Sequence, residues 1–131
     1  MSLAVSDEVL VAVQSTGIIP RSTFIEVVRE SLPDAWAIVS NLAERKQAGE
    51  AGLIEHAPRS MADGPRGQLL RMLSSNAIRG AVEAHFGLTF AFQNCHKVAA
   101  FRTDEVGGKI FTTFTSMEAQ IINQSPEMRD C

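Results

Sequence analysis

Apolar positions along the first two-thirds of the chain recur every three to four residues, and after Gly87 they begin to alternate. The first spacing predicts helices and the second predicts strands. In "SDEVLVAVQSTG", Ser6 suits an N-cap, Asp7 and Glu8 suit the positive end of the helix dipole, and Gly17 can close the C-terminus, which predicts a helix over 6–16. After Pro20, Phe24, Val27, Val28 and Leu32 form a second helical stripe, with Thr23 and Glu26 spaced as a capping box. Pro33 fits the first turn of a third helix, because the N–H it lacks has no partner there. Trp36, Val39, Leu42 and Ala43 supply that helix's apolar side, and it should end before Gly49. Residues 48–68 hold Gly and Pro without a sustained period and read as a long connection. From about Pro65 the helical period returns and runs to Gly87. Leu69, Leu70, Leu73, Ala77 and Ala81 lie on one side, although Ser74-Ser75-Asn76 offers side chains that can break this helix in two.

Beyond Gly87, "LTFAFQ", "KVAAFR" and "KIFTTFT" each read as a strand. "QNCH" and Gly107-Gly108 are the turns between them. Thr115 and Glu118 are spaced to cap a last short helix. The expectation is one α+β domain over 1–131. Its helical part spans about 6–87, its three-stranded antiparallel meander about 88–115, its final helix about 116–123 and its polar tail 124–131. The N-terminal helices should cover one face of the sheet. An open sheet edge leaves backbone groups unpaired, so a homodimer is expected.

Composition narrows the class. An apolar share of 45% argues for a packed core, while no apolar run approaches the length needed to span a bilayer, so no membrane role is expected. Asp7 and Glu8 stand where a signal peptide would be apolar, which reads as a cytoplasmic location. Two cysteines, Cys95 and Cys131, are too few for a disulfide framework. The net charge of −3 hides an uneven layout: residues 56–102 carry six Lys or Arg against two Asp or Glu, and both flanks are acidic. A basic middle can attract an anion, or it can complement the acidic flanks of the same fold or of a second copy.

Three sets of residues could carry chemistry. Asn94-Cys95-His96 sets a thiol beside an imidazole, and a cysteine-dependent enzyme would use Cys95 as nucleophile with His96, His85 or His56 as base. Neighbours on a strand point to opposite faces, however, so adjacency alone makes no dyad, and the plainer reading is a hairpin turn with Cys95 as a small filler. Cys95, His96, His85 and His56 lack the spaced ligand pair a zinc site normally uses, so no metal and no cofactor is expected. The third set is a basic stripe. Arg71, Ser75 and Arg79 follow at i, i+4 and i+8, preceded by Gln68 and extended by Arg66, Arg59 and Lys97. Guanidinium groups so placed can grip phosphate or carboxylate.

If the helix breaks at Ser74–Asn76, its second half followed by strands is similar in topology to a winged-helix DNA binder. The acidic balance argues against nucleic acid, because such proteins show a strong basic footprint. No nucleophile, base and oxyanion donors assemble from spacing alone. The sequence therefore reads as a small non-catalytic binding or regulatory module, acting on a protein partner or a small anionic ligand through Arg71, Arg79, Gln68 and Arg66.

Overall fold

The computed structural model of the chain describes residues 3–56, 62–93 and 97–122. Helix α1 (Asp7–Thr16) starts where Ser6 Oγ accepts the Val9 N–H and ends at Gly17, whose positive φ lets its N–H reach Val13 O. It buries none of its residues. Helix α2 (Arg21–Ser31) follows Pro20, which caps it without a side-chain hydrogen bond, so the Thr23–Glu26 box is not formed. Glu26 pairs instead with Arg29 one turn on. Helix α3 (Pro33–Gln47) has Pro33 in its first turn, as the sequence predicts.

The supposed long connection contains strand β1 (Ile54–His56). Helices α4 (Asp63–Ser74) and α5 (Asn76–Phe86) then replace the single long helix. The break is made by Ser75, which adopts an extended backbone and offers its Oγ to the Ile78 N–H as the cap of α5. Gly87 ends α5 in the left-handed conformation. Strands β2 (Thr89–Gln93) and β3 (Lys97–Phe101) are both where alternation puts them. The expected third strand at 109–115 is a helix, α6 (Lys109–Phe114), followed by α7 (Met117–Ile122). Phe111 and Phe114 stand three apart, which would set them on opposite faces of a strand but sets them on one side of a helix. There both rings meet Phe101, at 5.1 and 6.0 Å between centroids. The cap of α7 is Ser116, which accepts from Ala119 N, rather than Thr115. The expected turn at "QNCH", beyond Gln93, and the expected polar tail at 124–131 lie outside the described residues.

The result is an α+β fold with a three-stranded antiparallel sheet in the order β1-β3-β2 and a short helix closing the described chain. The inner sheet face carries Ile54, Phe90, Val98 and Ala100 into the main core, with Val28, Val39 and Leu42 from α2 and α3, Leu32 between those helices, and Leu69, Met72 and Val82 from α4 and α5. The expectation that N-terminal helices cover one face is met by α3, which packs on β1 and β3. The outer face is smaller. Ala91, Ala99 and Phe101 there meet Phe114 and Phe111 of α6. Among the described residues no helix is long and apolar enough to cross a membrane.

Candidate ligand site

The residues of the expected basic stripe part company once α4 and α5 separate. Arg71 lines a shallow depression with Gly67, Leu70, Ser74 and Ser75. Arg79 sits on α5, where it donates to Asn76 Oδ1 at 3.1 Å and approaches Glu83 at 4.0 Å. Arg66 binds Asp63 on its own first turn. Gln68 serves the fold instead, because its Oε1 accepts the N–H groups of Asp34 and Ala35 at 2.7 and 3.1 Å, and its Nε2 donates to Asp34 Oδ2. Helix α3 has no capping side chain of its own, so Gln68 supplies one from α4. Arg71 and Arg79 thus line different depressions, and Gln68 is engaged by the start of α3.

Cys95, His96 and Arg59 lie outside the described residues. His85 is exposed at the end of α5, where its ring lies against Trp36 and Phe86 at centroid distances of 5.4 and 4.8 Å. Among the described residues no group of three or more His, Cys, Asp or Glu is placed to hold a metal.

A concave site opens elsewhere, on the outer sheet face where α6 and α7 only partly cover it. The cavity measures about 540 Å³ and is lined by Leu53, Glu55, Gln93, Lys97, Lys109, Ile110, Thr113, Phe114 and Ala119. Antiparallel pairing builds its floor: Gln93 of β2 lies directly opposite Lys97 of β3, so both side chains rise on one face. Gln93 is 1% exposed. Its Nε2 donates to Phe114 O at 2.7 Å, which ties the strand to the end of α6, while its Oε1 has no hydrogen-bond partner among the described residues. A buried amide oxygen left without a donor costs roughly 1–3 kcal/mol, so a donor for this acceptor is favoured. The lining holds two lysines, Lys97 and Lys109, and one carboxylate residue, Glu55, while Leu53, Ile110 and Phe114 give an apolar wall. Small-ligand pockets commonly combine such a wall with a few placed polar groups.

Sequence reasoning missed this site because two of its walls were assigned to the wrong elements. With 109–115 read as a strand and 48–68 as a connection, neither Lys109 nor Leu53 could be placed beside Gln93. The available signal was Gln93 itself, a polar residue on the strand face it shares with Thr89 and Ala91.

The electrostatics elsewhere are structural. Hydrogen bonding from Lys46, then from the Arg102 N–H, lowers the pKa of Glu105. Arg45 forms two hydrogen bonds to Glu50, at 2.7 and 2.8 Å, which lowers the Glu50 pKa and raises that of Arg45.

A protein-family model labelled KH NucS shadow and described as "NucS shadow ORF" matches residues 1–131. No curated protein and no solved structure matches the chain.

Proposed function

The chain belongs to the family described as NucS shadow ORF, and we propose that it is a small non-catalytic binding domain that acts as a homodimer and holds a small anionic ligand in the cavity beneath α6 and α7. The observation that carries this reading is a cavity whose lining brings together two lysines, an apolar wall and Gln93, whose buried Oε1 has no partner among the described residues. A ligand suited to it has a carboxylate for Lys97 and Lys109, an N–H or O–H donor for Gln93, and an apolar tail for Leu53, Ile110 and Phe114. The binding role expected of Arg71, Arg79, Gln68 and Arg66 passes to these residues.

N-octanoylglycine carries all three groups and serves as the probe. Titrated into the labelled protein, it should shift the amide resonances of Lys97, Ile110 and Thr113, and K97A/K109A should weaken it by about tenfold, the loss of roughly 1.4 kcal/mol. Shifts confined to other parts of the chain would overturn the site.

One observation favours a second reading, single-stranded nucleic acid. Helix α4 opens on Gly64-Pro65-Arg66-Gly67, which fits the G-x-x-G pattern by which KH modules clamp a nucleotide backbone. Against it stand the pairing of Arg66 with Asp63 and the net charge of −3. A fluorescent single-stranded oligonucleotide whose anisotropy rises with the protein, and falls back with G64D or with added salt, would favour this reading.

A further inference from the structure

We infer that two copies of this chain join through the free edge of β2, forming a continuous six-stranded sheet around a twofold axis that passes beside Ala91. The inference rests on the homodimeric reading above and assigns its interface. Among the described residues strand β2 is an edge of the sheet, paired with β3 on one side only. Its Phe90 N–H points away from β3, since it donates to Glu83 Oε2 at 2.8 Å. In an antiparallel ladder these directions alternate, so Phe92 turns its N–H and C=O to the same open edge. A groove of about 480 Å³ runs along this edge, with Arg79 and Glu83 of α5 on one side and Phe111 and Thr115 on the other.

The occupant is identified by self-complementarity. A twofold axis beside Ala91 pairs Phe90 with Phe92 of the second copy, and the reverse, giving four backbone hydrogen bonds. It also sets the two Ala91 residues opposite each other as a non-hydrogen-bonded pair, where side chains come closest, and alanine is small enough to allow it. Phe90 and Phe92 then form cross-strand aromatic pairs on the inner face. An axis perpendicular to the sheet keeps both α5 helices on one side and runs them antiparallel, so Arg79 of each faces Glu83 of the other. Such a patch meets itself with opposite charges, as an isologous interface requires. In the single chain Glu83 occupies the Phe90 N–H and so protects the edge. On pairing, Glu83 gives up that N–H to the incoming strand and turns to the facing arginine.

The test is sedimentation of the full chain over a range of concentrations, with folding checked by circular dichroism. The wild-type chain should reach twice its 14.2 kDa mass. R79E and E83R should each weaken the dimer by roughly tenfold through like charges brought face to face, and R79E/E83R should restore it. Hydrogen exchange in the wild-type chain gives a reading independent of these variants: the Phe92 amide should become more protected as concentration rises. A wild-type chain that stays monomeric at millimolar concentration would overturn dimerisation itself. A dimer that ignores both charge reversals and leaves the Phe92 amide unprotected would overturn this interface alone.

Discussion

Lys46 Nζ lies 2.7 Å from Glu105 Oε1 and 2.9 Å from Oε2, joining the last turn of α3 to the short 3-10 turn after β3. The lysine side chain is 5% exposed and the glutamate 27%, so the pair is held at the margin of the core rather than in open water. Glu105 also accepts the Arg102 N–H at 2.9 Å. The contact bridges 59 residues of sequence and fastens the start of the α6 arm to the helical layer.

Removing one partner of this pair should cost more than removing the charge that is hidden. Glu105→Gln leaves the buried ammonium without its counter-ion and should destabilise the fold by about 2 kcal/mol, the order expected for a charged hydrogen bond lost in a partly buried site. Lys46→Met replaces the buried amine by an apolar side chain of similar length and should cost less. Urea unfolding of the two variants checks the order.

The same pair sets an acid dependence. Because the hydrogen bond from Lys46 lowers the folded-state pKa of Glu105, unfolding at acid pH takes up a proton there. Its contribution is complete above the ordinary carboxylate pKa and is lost as pH falls through the depressed folded value. Stability of the wild-type chain measured by urea midpoint should therefore fall toward acid more steeply than that of Glu105→Gln. Parallel acid limbs would show that Glu105 carries no such linkage.

Gln68 yields a prediction that distinguishes a structural residue from a binding one. Gln68→Ala should destabilise by about 1–2 kcal/mol through loss of the α3 cap. Arg71→Ala, on the same helix, should stay within about 0.5 kcal/mol of the wild type. Equal melting temperatures for Gln68→Ala and the wild type would mean that the N–H groups of Asp34 and Ala35 find other partners.

How much of this could be read from residues alone depends on whether the signal is local. Ser6, Gly17, Pro33 and Gly87 act through backbone geometry within one turn, and each is found in the role its chemistry predicts. The alternation in β2 and β3 likewise reports a sheet with two unlike faces. The segment at 109–114 reads as a strand from its Thr and Phe content, yet contact with Phe101 decides it, and no local pattern announces a partner in another element. β1 is three residues long, too short to show a period, and exists because β3 offers it an edge. The cavity depends on both of these non-local choices, so its lysines could not be grouped in advance.

The core offers a graded test of burial. Phe90 is 3% exposed among Leu, Ile and Val side chains, and Phe90→Ala should cost about 3–5 kcal/mol. Trp36 is only half-buried against His85 and Phe86, so Trp36→Ala should cost less, about 2 kcal/mol. Denaturant midpoints should fall in that order; a larger loss at Trp36 would place the main core nearer the α3–α5 contact than the sheet.

The family description names an open reading frame and assigns no activity, so production of the polypeptide is itself a prediction. Several independent levels of the chain agree on one fold: serine caps at Ser6 and Ser75, glycine at the left-handed helix ends Gly17 and Gly87, and an inner sheet face whose apolar side chains meet apolar helix faces. Such agreement is what a foldable sequence shows and what an arbitrary string of residues lacks. The purified chain should unfold in one cooperative transition, with near-ultraviolet dichroism from Trp36 and far-ultraviolet dichroism from the helices lost together. In cells the tryptic peptide covering residues 30–45, "ESLPDAWAIVSNLAER", should be detected by mass spectrometry against a labelled synthetic standard. A non-cooperative melt would sink the fold, and absence of the peptide from cells that transcribe the frame would mean that the fold is encoded without being used.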